Sequence, residues 1–184
     1  MRLGRHAARR NGVTSVSNKS ALLGAIRRGD VPGVLRCLDE GASIAWRDGK
    51  GFGALFHAVF QRQWAVVDAL LARGADIDLP EHQGWTPLFW ASFKSHADIV
   101  GHLIARGADA NAATHVGDRP LFMATYKGYA EVVRLLLAGG AQWDAIDAGG
   151  RDALWLARMK DHHEIVKLLE ARAAMPGGPL PDTH

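Results

Sequence analysis

The apolar residues of this chain recur at one spacing along almost its whole length. Leucines, alanines and valines each return every 33 residues, and so do glycine–alanine pairs. The leucines are Leu22, Leu55, Leu88, Leu121 and Leu154. The valines are Val34, Val67, Val100, Val133 and Val166. Because several independent positions share this spacing, the pattern predicts an array of repeated units.

Within each unit the pattern predicts two short helices. In the third unit, Thr86 can cap a first helix, and Pro87 stands at the first helical position, where its missing N–H costs nothing. Gly107 ends the second helix. The apolar stripe of that helix is formed by Ile99, Val100, Leu103 and Ile104.

Two segments, "GWTPLFWASFKSHADIVGHLIARGADANA" and "GDRPLFMATYKGYAEVVRLLLAGGA", resemble ankyrin repeats. The resemblance covers roughly residues 20–174. It implies an all-α-dominated repeat solenoid, with β-hairpin fingers between antiparallel helix pairs and a core supplied by stacking. The predicted repeats are residues 20–46, 47–79, 80–112, 113–145 and 146–174.

The two ends of the chain differ from the repeats. Residues 1–19 are predicted to be a disordered basic leader, although their Arg-rich, acid-free composition also fits a mitochondrial transit segment. Residues 175–184 form a Pro/Gly-rich tail. The leader holds 5 of the 22 basic residues, which leaves 17 against 19 acidic residues. The basic pI of 9.3 therefore comes from the leader, and we do not expect nucleic acid as a partner.

The family's histidine after Thr–Pro–Leu is replaced by large apolar residues, of which Phe56, Phe89 and Trp155 are three. We expect this column to pack as core, together with Trp90. Cys37, the single cysteine, aligns with leucines and is predicted to be a buried thiol. One thiol fits a reducing compartment, so a cytoplasmic location is expected, and no apolar run is long enough for a membrane span.

The histidines do not form a metal or catalytic pattern. His82 and His115 occupy equivalent finger tips and could bridge an ion or contact a partner, but solvated loop residues are the simpler interpretation. There is no HExxH, CxxC, GxSxG or phosphate-loop motif. We therefore expect no catalytic residues, no metal, no cofactor and no small-molecule substrate.

The resemblance implies that partners bind at finger tips and on the exposed faces of the first helices. The residues predicted to bind there are Phe52, Trp85, Phe60, Phe93 and Tyr126, with Lys94 and Lys127. They favour a partner protein with an acidic and partly apolar surface, bound by a non-catalytic monomer. Two alternatives remain open for the chain, a dedicated inhibitor or immunity/antitoxin-like protein of a partner enzyme and, less favoured, a nucleic-acid binder. The aromatics could also fold onto their own helices as packing.

Overall fold

The computed structural model describes residues 10–147 and 149–174, with side chains from residue 18 onward. These residues contain α1 (Arg10–Arg28), α2 (Val31–Asp39), α3 (Ala54–Phe60), α4 (Trp64–Ala72), α5 (Pro87–Phe93), α6 (Ala97–Ala105), α7 (Pro120–Lys127), α8 (Ala130–Ala138), α9 (Ala153–Met159) and α10 (His163–Ala174). Each odd-numbered helix packs against the helix that follows it, which gives five helix pairs in the described residues. The chain divides into two compact units after Leu79.

The first unit holds the helix pairs α1–α2 and α3–α4. First helices pack on first helices, α1 against α3, and second helices on second helices, α2 against α4. The side chains between these layers are apolar and inaccessible to solvent, as for Leu22, Ile26, Val34, Val67 and Leu70. The recurring leucine and valine positions therefore supply the core, as the spacing predicts.

The second unit repeats this arrangement with three pairs. Helix α7 lies between α5 and α9, and α8 lies between α6 and α10. Its buried side chains include Leu88, Leu103, Leu121, Leu136 and Leu169. A helix pair cannot bury its own apolar face, so each pair depends on its neighbour for burial. The predicted all-α repeat architecture is confirmed.

The helix starts follow the local sequence. Helix α5 begins at Pro87, and the Thr86 hydroxyl accepts a hydrogen bond from the Phe89 N–H at 3.1 Å. The carboxylate of Asp152 caps α9 in the same way, accepting from the Trp155 N–H at 2.6 Å. Gly53, before α3, makes no side-chain capping bond. Arg119, before α7, also makes no side-chain capping bond.

The predicted β-hairpin fingers are not seen as strands in the described residues, where the one bridge joins Arg47 to Gly53. Each finger is instead a tight turn that we call a finger turn. Its first residue accepts hydrogen bonds from backbone N–H groups further along the turn, and a glycine with positive φ follows three residues later. The accepting residues are Asp48, Glu81, Thr114 and Asp147, and the glycines are Gly51, Gly84, Gly117 and Gly150. These turns are too short for a ladder of strand pairs.

Helix α1 begins at Arg10, so it crosses the predicted boundary between the leader and the repeats. Residues 1–9 of the leader and the whole tail, residues 175–184, lie outside the described residues. The domain boundaries therefore stay predictions. None of the described helices has the length and apolar character that a membrane crossing requires.

Candidate protein-binding surface

Four of the seven predicted site residues meet around one aromatic ring in the second unit. The ring of Phe93, at the end of α5, lies 5.2 Å from the ring of Trp85 between centroids. The ammonium groups of Lys94 and Lys127 lie 5.2 and 5.1 Å from the Phe93 centroid. We call Trp85, Phe93, Lys94 and Lys127 the Phe93 cluster. It joins a finger turn to the C-terminal ends of two first helices, α5 and α7.

The aromatic rings of the Phe93 cluster are half-buried, so each has a packing role as well as an exposed face. Trp85 also contacts Phe89, with 5.1 Å between ring centroids, and Phe89 is only 1% exposed. The two lysines are exposed. The cluster thus presents two cations on an aromatic surface that the core holds in place.

Phe52 and Phe60 belong to the first unit. Phe52 is half-buried, stacks on Phe56 with 4.5 Å between centroids, and meets His57 edge-on at 6.2 Å. Phe60, at the end of α3, is 55% exposed. Phe52 thus packs partly against its neighbours, whereas the side chain of Phe60 is more than half exposed to solvent.

Tyr126, the remaining predicted residue, lines a groove of about 490 Å³ between α7 and α9. The apolar lining of this α7–α9 groove is Phe122, Met123, Tyr126, Trp155, Leu156 and Met159. Tyr126, Trp155 and Met159 are 49%, 42% and 62% exposed. Large apolar side chains are costly to leave in water, so three of them around one concavity mark a candidate interaction site.

Charged residues fix the two ends of the α7–α9 groove. At the finger end, Arg151 donates from Nε to Asp147 at 2.9 Å, and its guanidinium lies 5.2 Å from the Trp155 ring centroid. The hydrogen bond from the Arg151 side chain, followed by backbone N–H bonds, lowers the pKa of Asp147 to about 2. At the other end, the Lys160 ammonium lies 4.5 Å from the Tyr126 centroid. Arg151 is therefore neutralised locally, whereas Lys160 forms no ion pair with any residue that the structure describes.

Comparison with known families identifies this array of helix pairs. A family model described as ankyrin repeats, three copies, matches residues 22–114 and again residues 98–175. The chain belongs to the ankyrin-repeat family. Ankyrin repeats are generally protein–protein interaction modules and are typically non-catalytic. No curated protein matches the chain.

The ankyrin columns predict burial well in the third helix pair and poorly in the fifth. Phe89 and Trp90 are 1% and 9% exposed, as predicted, but Trp155 in the same column as Phe89 is 42% exposed. Helix α5 has α7 packed on it, whereas α9 has no later first helix in the described residues. The position of Trp155 in the last unit of the pattern could have indicated its exposure. The prediction assigned the same burial to every member of the column and therefore missed it.

A polar pair in the first unit was also not predicted. The Nε2 atom of His57 lies 3.1 Å from Oδ2 of Asp48, the residue that closes the first finger turn, and the His57 ring stacks on Trp46. Burial lowers the pKa of His57 and outweighs the opposing effect of the Asp48 carboxylate, while nearby Arg27 lowers it further. The family's finger-contacting histidine is thus displaced by one position. In the part of the chain that the structure describes, no three His, Cys, Asp or Glu residues form a metal site.

Proposed function

We propose that this ankyrin-repeat chain binds another protein through the Phe93 cluster and the α7–α9 groove, without catalysis. One observation carries the proposal, namely that two lysines approach the same half-buried ring of Phe93. Two like charges placed together repel each other, so an anionic partner group would stabilise the arrangement. Among the described residues, no carboxylate forms an ion pair with either lysine.

The chemistry of this surface favours a partner with acidic and apolar groups side by side. Aromatic rings supply large contact area with little loss of conformational freedom, which is why aromatics are frequent at the centres of interfaces. Lysines at the edge act mainly on encounter with an oppositely charged partner. Phe52 and Phe60, in the first unit, are proposed as further partner-binding residues of that unit. A preformed surface needs little ordering on binding, so a modest patch suffices for useful affinity.

The same proposal places the interaction in the cytoplasm, with the chain monomeric apart from its partner. The single thiol, Cys37, is free and buried, which fits a reducing compartment.

The test begins with capture of a partner by the full chain and its identification by mass spectrometry. Binding of the purified partner is then measured for Trp85→Ala and Phe93→Ala, with Lys167→Ala as the control. Lys167 is exposed on α10, a second helix of the same unit, and belongs to neither the Phe93 cluster nor the α7–α9 groove. Truncation of a hot-spot aromatic is expected to cost about 2 kcal/mol of binding free energy or more, and the control almost nothing. Unchanged affinity of both aromatic variants, with thermal unfolding showing them folded, would contradict the proposal.

A further inference from the structure

The lysines of the second unit form a ladder with the aromatic residues of the first helices. Lys127 lies over Phe93 of the preceding helix pair, and Lys160 lies in the same way over Tyr126. Both contacts join residues 34 positions apart, so the arrangement repeats from pair to pair. Lys94 occupies the equivalent position after α5. The three lysines therefore lie along one edge of the packed helices α5, α7 and α9.

These three cations are not matched by acids. In the described part of the chain, none of Lys94, Lys127 and Lys160 takes part in an ion pair, although several arginines do. In the α7–α9 groove, Arg151 is held by Asp147, and Asp118 lies at the same finger end. The groove thus has acidic groups towards the finger turns and, at the opposite end, Lys160, which has no ion-pair partner among the described residues.

On the basis of the proposed function, we propose that the partner contributes an extended acidic segment that crosses α5, α7 and α9 along the lysine edge. Its carboxylates meet Lys94, Lys127 and Lys160, and one large apolar side chain between the last two carboxylates enters the α7–α9 groove. Asp118 disfavours carboxylates at the finger end, so the acidic side chains lie on the lysine side.

The spacing of the lysine edge predicts the spacing of the acids. Packed helices lie about 8–10 Å apart. Lys94, Lys127 and Lys160 stand at equivalent positions of successive first helices, so we expect their backbone positions to be separated by about one such step. Three residues of a polyproline II segment advance about 9 Å and return the side chain to the same side. Two residues of a β-strand advance only about 7 Å. The best-matched segment therefore carries an acidic residue at every third position and is polyproline-like.

A strand of nucleic acid also offers regular negative charge and rings that stack, but the structure disfavours it. Asp118 and Asp147 line the groove where phosphates would approach, and the sequence outside residues 1–19 has more acidic than basic residues. The groove is lined mainly by apolar side chains, which fits an aliphatic or aromatic side chain of a protein.

The test uses the full chain and labelled synthetic peptides in a fluorescence anisotropy titration. The probe peptide is proline-rich, with three glutamates each separated by two residues and one leucine between the second and third glutamate. One control peptide has the same composition with adjacent glutamates, and a second has serine for leucine. The spaced peptide is expected to bind at least about tenfold more tightly than either control.

Protein variants locate the contact. Lys160→Ala is expected to weaken binding of the spaced peptide several-fold, whereas Lys167→Ala, an exposed lysine on α10, leaves it unchanged. Lys160→Glu should bind a peptide with lysine for the third glutamate better than the original peptide. Equal binding of the spaced and adjacent peptides, or no response to Lys160→Glu, overturns the inference. So does tighter binding of a single-stranded oligonucleotide at the same salt concentration.

Failure of this inference can be distinguished from failure of the proposed function. If the captured partner still depends on Trp85 and Phe93 while the spaced peptide does not bind, protein binding stands and the partner's acidic spacing is wrong. If the peptide binds but the partner ignores those aromatics, the proposed function fails on its own.

Discussion

The ammonium group of Lys160 lies 4.5 Å from the ring centroid of Tyr126, and the two residues come from successive helix pairs. A cation over an exposed aromatic ring contributes about 0.5–1 kcal/mol. We expect this coupling energy from a double-mutant cycle of Lys160→Ala and Tyr126→Ala, measured by urea unfolding. The matched cycle with Lys167→Ala, on a second helix, should give no coupling. Equal coupling energies in both cycles would mean that the contact between Lys160 and Tyr126 makes no specific contribution to the free energy of unfolding.

The substitution Gly84→Ala is expected to destabilise the chain more than Gly117→Ala. Both glycines have positive φ, 85° and 88°, which costs an alanine about 1 kcal/mol or more. A Cβ on Gly84 would also lie 2.6 Å from the backbone nitrogen of His115, whereas one on Gly117 meets nothing within 4 Å. Free energies of unfolding from urea titrations test this difference. Similar losses in both variants would show that the neighbouring finger turn moves aside without cost.

Stability is expected to fall as the pH decreases below about 6.5, the ordinary pKa of histidine, because of His57. Burial lowers the pKa of His57 in the folded chain, so the unfolded chain takes up the proton first. The unfolded state then binds more protons, and acidification favours unfolding. Urea midpoints between pH 7.5 and 5 measure the slope.

Asp48 makes the stability of the chain depend on pH in a lower range than His57 does. Burial alone would raise the pKa of Asp48, but the N–H groups of Lys50 and Phe52, with His57, outweigh it and lower the pKa. The stability that Asp48 contributes is therefore lost as the pH falls below about 4, the ordinary pKa of aspartate, towards the lower pKa of Asp48 in the folded chain. His57→Gln should flatten the upper part of the profile most and reduce the lower part slightly, because His57 also helps to lower the pKa of Asp48. His163→Gln, an exposed control on α10, should do neither. An unchanged profile in His57→Gln would assign the slope to other groups.

Cys37 is expected to react with a thiol reagent only when the chain opens. Its side chain is 8% exposed in α2, as the alignment with leucines predicts. Because the reagent needs an accessible thiolate, labelling in buffer should be at least about tenfold slower than in urea. Absorbance of the released product measures both rates. Rapid labelling of the native chain would contradict burial.

The sequence predicts the packing of this chain much better than its surface. Pro87 and Thr86 predict the start of α5, and the 33-residue columns predict the burial of Leu88 and Phe89, because both depend on neighbours within the pattern. Trp155 follows the same column but is exposed, because no later first helix packs on α9 in the described residues. Equivalent positions in successive repeats predict the burial of a typical member. The member in the last repeat differs, because it has a packing neighbour on one side only.

Prediction of the candidate site from the sequence is limited in the same way. The repeat pattern placed Phe93, Lys94 and Lys127 on the exposed faces of the first helices, but it could not place both ammonium groups over one ring. That contact depends on the packing of α5 against α7. Likewise, Asp48 and His57 are nine residues apart in sequence, and their 3.1 Å contact follows from the path of a finger turn that was expected to be a hairpin. Whether the predicted site residues bind a partner stays a prediction.

The finger turns have a consequence for how this chain can diversify. Each turn is closed from within, because Asp48, Glu81, Thr114 or Asp147 accepts hydrogen bonds from N–H groups that follow it. The side chains at the turn tips, such as His82 and Val116, are exposed and are not needed for that closure. Mutation can therefore change the tips while the helices keep their contacts. Selection acting on recognition and selection acting on folding fall on different residues, and a new specificity can evolve at the tips without first destabilising the array.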